Sequence, residues 1–308
     1  MKQTYELSVN DRADESVRMI LRSLSCALQS KINGVLEDTD EEYLHDLRVS
    51  NRRTRTVLSQ MKGVLPPDPI VEFSSNFEWL GIITGPLRDL DVHLLGIDSH
   101  RRLSGIDGNL FDTLCQFLED ARQSEHRSVC TALRSPRFQQ FVDDWGRFLD
   151  SEGEGEVEPP LASAPIIEVA GPRILKAYKR IWKRGAGFTA EAPASLLHRI
   201  RIDGKKLRYL LEFFADLYPG LTASRFIKEL KKLQDILGEF NDTQVQLGFI
   251  EDFVDQDPQR AESSNAVRRL RDIIADRQLE LRSDFSERFA LFASDESRKL
   301  YKKTFKTS

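Results

Sequence analysis

Apolar residues Val17, Ile20, Leu21, Leu24, Leu28 and Ile32 recur at the three- and four-residue spacing of a single helix face. Gly34 and the acidic run Glu37 to Glu42 interrupt that face and predict a turn. A second helix is expected over 41–65, with Leu44, Leu47, Val57, Leu58, Met61 and Leu65 as its stripe and Pro66-Pro67 as its stop. Helical patterns resume over 70–97, 110–133 and 137–149. Ser151 to Pro160 is rich in Glu, Gly and Pro and reads as an exposed linker. The expected organisation is therefore a first helical unit over 1–150, a linker over 151–165 and a second unit over 166–308.

The second unit resembles the first. His198 follows His45 by 153 positions, and the same offset pairs Arg48 with Arg201, Arg55 with Arg208, Pro66 with Pro219, Gly85 with Gly238 and Asp89 with Asp242. About 14 of roughly 55 positions are identical in this ungapped alignment, several times the chance level. A long period with only two copies predicts a tandem duplication folded as two pseudo-two-fold-related four-helix bundles, because each copy is large enough to close its own core. The fold class expected is all-α.

Composition narrows the function. With 45 Lys+Arg against 49 Asp+Glu the net charge is -4, which disfavours a general nucleic-acid coat but permits a local basic site. Three cysteines without a C-x-x-C pair suggest neither a disulfide framework nor a cysteine zinc site, and fit a cytoplasmic protein. The first ten residues carry no apolar run behind basic residues, and no stretch approaches the ~18 apolar residues of a membrane span.

The charge is segregated. On a helix, His45, Arg48, Arg52 and Arg55 fall within roughly 80° of one another, beside the apolar stripe. His198, Arg201, Lys205 and Arg208 repeat the ridge, with Tyr209 at its edge. The preceding helix adds Arg173, Lys176, Lys179, Arg180, Lys183 and Arg184 with no acid among them, and Arg22 and Lys31 are weaker counterparts in the first half. A solvated basic face normally has acids at i,i+4; here Asp46 and Asp203 fall outside the ridges, and like charges at that spacing cost a few tenths of a kcal/mol per pair. Ridges kept at that cost point to a polyanion, which Arg binds through paired hydrogen bonds.

His45 and His198 stand without a second spaced His, so hydrogen bonding or phosphate donation is expected of them rather than metal ligation. Asp89 and Asp242 come singly in each copy, in Arg88-Asp-Leu-Asp91 and Asn241-Asp, and read as orienting groups for the ridges. No Gly-rich phosphate loop is present, which excludes P-loop chemistry.

The doubled pattern, Leu-His-x-x-Arg-Val-x-x-x-Arg-x-Arg with Arg-Asp-Leu-Asp-Val, then Leu-His-x-x-Arg-Ile-x-x-Lys-Lys-Leu-Arg-Tyr with Leu-Gln-Asp-Ile-Leu-Gly-x-x-Asn-Asp, resembles the CHAD family, the conserved histidine α-helical domain, over roughly Val17 to Leu291. That resemblance implies a basic channel between two helical bundles, binding of inorganic polyphosphate and targeting to polyphosphate granules. Carried over by position, it implies a ligand set of His45, Arg48, Arg52, Arg55, His198, Arg201, Lys205 and Arg208, with Arg53, Lys206, Lys176, Arg180 and Lys183 as additions. The Glu-x-Glu-x-Lys strand of a triphosphate-hydrolysing domain, present in many relatives, does not occur in this sequence. Gly204 inside the second basic helix and Thr54 at the position matching Leu207 also depart from the pattern.

The function expected is non-enzymatic polyphosphate binding without cofactor or metal. Two alternatives remain: a metal-dependent phosphohydrolase using His45, His198, Asp89 and Asp242, and nucleic-acid binding, for which only Tyr178, Trp182 and Tyr209 lie near the basic residues.

Overall fold

The computed structural model describes residues 5–104, 108–151, 158–218, 221–256 and 265–306, and among them the secondary structure is helical, with a single isolated bridge between Arg12 and Pro165. In the first half α1 (Ala13–Glu37) packs along α2 (Glu41–Gln60), α2 on α3 (Pro67–Ile83), α4 (Gly85–Ser104) on α5 (Gly108–Leu133), and α6 (Pro136–Asp150) returns to α1. In the second, α7 (Ile166–Gly185) packs on α8 (Ala194–Phe213), α8 on α9 (Leu221–Gln256), α9 on α10 (Asn265–Phe292), and α11 (Asp295–Phe305) returns to α7. The neighbour order of the first half thus recurs in the second, with a short extra helix, α6 or α11, closing each. The two sets meet where α2 lies against α8 and where α4 lies against α9 and α10.

Local chemistry sets the boundaries. Asp40 caps α2, its Oδ1 accepting from the Glu42 amide at 2.9 Å. Pro67 occupies the first turn of α3, where a missing amide hydrogen costs nothing. The expected helix over 70–97 is two helices, broken at Thr84: Pro86 brings no amide hydrogen, and Thr84 instead donates its hydroxyl to Leu80 O at 2.7 Å. Position 239, at the same offset in the second half, is Glu, and α9 runs through unbroken. Asp38 ends α1 in the left-handed region at φ 51°, its carboxylate gripped by Arg122 of α5 at 2.6 and 2.7 Å.

One apolar cluster runs through both halves, from Val17, Leu21 and Leu47 to Ile174, Leu207 and Phe285. Close approach within it demands glycine twice: a side chain at Gly34 would occupy the space of the Tyr43 ring, and one at Gly185 that of Phe289. The described end of the linker is anchored: Leu161 N donates to Gly63 O at 2.9 Å, Ala13 N to Ala164 O at 2.9 Å, and Glu158 pairs with Arg12 at 2.8 Å. Residues 152–157, where most of the acidic run falls, lie outside the described residues.

Candidate functional site

The seam between α2 and α8 gathers most of the two basic ridges. The apolar stripes of both helices, Leu44, Leu47, Val57 and Leu58 on one and Leu197, Ile200, Leu207 and Leu211 on the other, are buried. Burying them aims the adjoining arcs at each other. Arg52 then feels the charge of Arg48 and His45 on its own helix and of Arg201 and Lys205 across the seam.

Five basic groups at this seam depart from their ordinary values, among them Lys206, which is lowered chiefly by burial. Burial, with Arg52, Arg201 and Arg208 nearby, pushes Lys205 down to about 6, only partly opposed by Asp242. Burial and Arg52 take Arg48 down to about 10, and burial lowers Arg201 with Arg52 adding to it. His45 is lowered chiefly by burial and then by Arg88. Burial is the largest cause in each, and the charge of Arg52 acts in the same direction on Lys205, Arg48, Arg201 and His45.

The carboxylates within reach are Asp89 of α4 and Asp242 of α9, one from each half; burial is the largest cause raising each, and Asp242 adds to the rise at Asp89. Asp89 is exposed to water at its side chain, and the protein packed around it is still the largest cause raising its pKa. Both face Arg48 or Arg201, so they act as counter-charges to the ridges.

Each side chain of the expected ligand set has a definite place. Arg48 Nη1 donates to Gly81 O at 2.9 Å and Thr84 Oγ1 at 2.8 Å, putting its charge at the C-terminus of α3. Its Nε, like the Nε of Arg201, is buried without a hydrogen-bond partner. Arg55 reaches Glu78 at 3.1 Å. Arg208 Nε lies 3.3 Å from Glu212, four residues on. His198 is exposed, with Nδ1 3.2 Å from Asn241 Oδ1. Arg88 and Asn241, which influence the two histidines, are themselves 153 positions apart.

The additions divide. Lys206 lines the same groove as Arg52, Arg55, Arg201 and Lys205. Arg53 is half-buried, donating to Glu212 Oε2 at 2.6 Å with its guanidinium over the rings of Tyr209 and Phe213. Lys176 and Lys183 are exposed on α7, and no ion pair is described for them. Arg180 lies 3.6 Å from the buried Asp203, which also binds Arg184. Asp203 thus serves as counter-charge to two of the α7 cations, Arg180 and Arg184. Arg22 and Lys31 serve the fold: the first caps α6 through Leu149 O, and the second pairs with Asp46 at 2.8 Å. Asp91 belongs to a bridge in which Arg122 joins it, at 2.8 Å, to Asp38.

The departures from the family pattern are accommodated. Gly204 is buried against Gln234 of α9, and Thr54 is buried with its hydroxyl returned to Ser50 O at 3.0 Å. Among the described residues, no group of three or more His, Cys, Asp or Glu side chains is placed to hold a metal ion, and no helix is long and apolar enough to cross a membrane.

The CHAD domain model matches residues 19–251. This chain belongs to the CHAD family. The crystal structure of the CHAD domain from the plant Ricinus communis superposes with a TM-score of 0.78 at 28% identity, covering 94% of this chain and 96% of that one. PptA from Streptomyces chartreusis shares the fold at a TM-score of 0.66 and 17% identity, covering 91% and 99% of the two chains. No curated protein matches the chain by sequence. The matched CHAD segment contains α2, α8 and the parts of α4 and α9 that carry Asp89 and Asp242.

Proposed function

We infer that this CHAD protein binds inorganic polyphosphate in the basic seam between α2 and α8 and does not turn it over. The observation that carries the reading is the convergence of Arg48, Arg52, Arg201 and Lys205 from two helices 153 positions apart onto one partly buried surface, where burial first, and then the neighbouring Arg52, Arg201 and Arg208, bring Lys205 down to about 6. Such a cluster is unfavourable until an anion arrives, and a chain of phosphates supplies several negative charges at short spacing. The family's link with polyphosphate supports the same ligand. His45 and Arg88 border the seam on the α4 side, where a neutral imidazole can donate one hydrogen bond to a phosphoryl oxygen. Localisation to polyphosphate granules follows from this reading.

Calorimetric titration with long-chain polyphosphate tests it. The wild type binds, the Arg52→Ala plus Arg201→Ala variant loses at least tenfold in affinity, and affinity falls steeply with salt because several charges are neutralised together, by analogy with counterion release from DNA. Unchanged binding by the double variant, or no binding by the wild type, rejects the reading.

A further inference from the structure

A cavity of about 1040 Å³ opens between α2, α3 and α8, and its walls differ in character. Among the described residues, Arg52, Arg55, Lys62, Arg201, Lys205 and Lys206 face it against one carboxylate, Glu78, which already meets Arg55 at 3.1 Å. The remainder mixes aliphatic side chains with the hydroxyls of Thr56, Ser59, Ser74 and Ser75, and the aliphatic surface predominates. Leu58, Met61 and Leu65 form part of its floor, and Ile70, Val71 and Ile202 stand about its mouth. Val71 is 71% exposed and Ile202 38%, and they belong to α3 and α8, two of the helices that frame the cavity. Pro159 and Pro160, from the anchored end of the linker, also line it.

An inorganic phosphate chain has no apolar surface and would leave this aliphatic half wet. Among the described residues no aromatic ring lines the cavity, so a nucleobase would find no stacking partner there. An acidic peptide laid along α3 would meet Asp68 and Glu72 as well as Glu78, on a helix that carries neither Lys nor Arg. An alkyl chain brings no charge to that helix, and the volume suits a small ligand held within walls. We propose that this groove binds a phosphate or short polyphosphate bearing one aliphatic chain, with its head against Arg52, Lys205 and Lys206 and its chain over Ile70, Val71 and Ile202. The proposal rests on the phosphate-binding reading of the basic wall and adds a second ligand class to it.

The probes are decyl phosphate below its micellar concentration, ethyl phosphate, tripolyphosphate, vesicles containing phosphatidic acid, and a soluble peptide of alternating Glu and Leu, each titrated against the full chain. Decyl phosphate should bind saturably with one site per chain, at least tenfold more tightly than ethyl phosphate, each fully buried methylene adding roughly fourfold. Val71→Asn plus Ile202→Asn should remove at least tenfold from decyl phosphate binding while tripolyphosphate binding stays within twofold. Both positions are partly or largely exposed, and helical circular dichroism confirms that the variant is folded. If phosphatidic acid vesicles also bind and decyl phosphate competes, the chain can come from a lipid headgroup; if only decyl phosphate binds, it comes from a free amphiphile. Vesicle binding without decyl phosphate binding, tighter binding of the peptide, or equal affinity for decyl and ethyl phosphate overturns the proposal. Tripolyphosphate binding alone would overturn it and leave the polyphosphate reading standing, whereas binding of neither ligand would remove both.

Discussion

Arg53 of α2 donates to Glu212 of α8 at 2.6 Å, directly across the seam, while its guanidinium lies 4.8 Å from the Phe213 ring centre and 5.3 Å from that of Tyr209. Glu212 meets Arg208 as well, at 3.3 Å. One carboxylate therefore takes Arg53 out of the open charge and restrains Arg208, and the two helices are stitched together beside the site.

Removing either member of this pair separates stability from binding. Arg53→Ala should destabilise the fold by about 2 kcal/mol, through lost cation–π contact and an unpaired Glu212, and leave polyphosphate affinity nearly unchanged. Glu212→Gln should also destabilise but strengthen binding severalfold, because Arg208 and Arg53 lose their counter-charge. Chemical denaturation and titration of the two variants check this; a loss of binding in Glu212→Gln would contradict it.

Lys205 makes both stability and binding depend on pH, in opposite senses. Burial and its neighbours Arg52, Arg201 and Arg208, opposed by Asp242, hold it at about 6, whereas an unfolded lysine keeps its proton to about 10. Between those values the unfolded chain binds more protons, so the contribution of Lys205 to stability rises with pH and is least below pH 6. A bound polyanion restores the proton, so affinity should fall as pH rises from 6 toward 9, by up to about tenfold per pH unit for one linked proton. Titrations in buffers of different ionisation enthalpy read the proton uptake directly, and Lys205→Arg should abolish it.

If polyphosphate occupies the seam as proposed, Asp89 and Asp242 oppose its charge. Asp89→Asn plus Asp242→Asn should raise polyphosphate affinity severalfold. A phosphohydrolase built on the same carboxylates would behave differently, releasing orthophosphate in Mg²⁺ or Mn²⁺ and losing that activity in the double variant. An orthophosphate assay alongside the titration separates the two.

Close packing under α2 is expected to be unforgiving. Gly34→Ala places a methyl group in the space of the Tyr43 ring and should cost about 1–3 kcal/mol, seen as a lower thermal midpoint.

Much of this was legible along the chain because helices repeat their chemistry every three or four residues. The stripes of α1 and α2 predict which arcs are buried, and the arcs beside them predict the basic surface. The break at Thr84 is local, and Pro86 announces it. What periodicity cannot supply is the partner across a seam. Glu212 lies seven residues after Lys205 and carries no mark that it meets Arg53, and Asp203 is adjacent in sequence to nothing on α7 yet neutralises Arg180 and Arg184. Arg88 and Asn241 had a signal that charge patterning alone passes over, since they occupy equivalent positions beside His45 and His198.

The most direct test is a crystal structure with bound tripolyphosphate. Phosphoryl oxygens should lie between α2 and α8 within hydrogen-bond distance of Arg52, Arg201 and Lys205; an anion held instead on the Lys176 and Lys183 face of α7, with the seam left to water, would contradict the account.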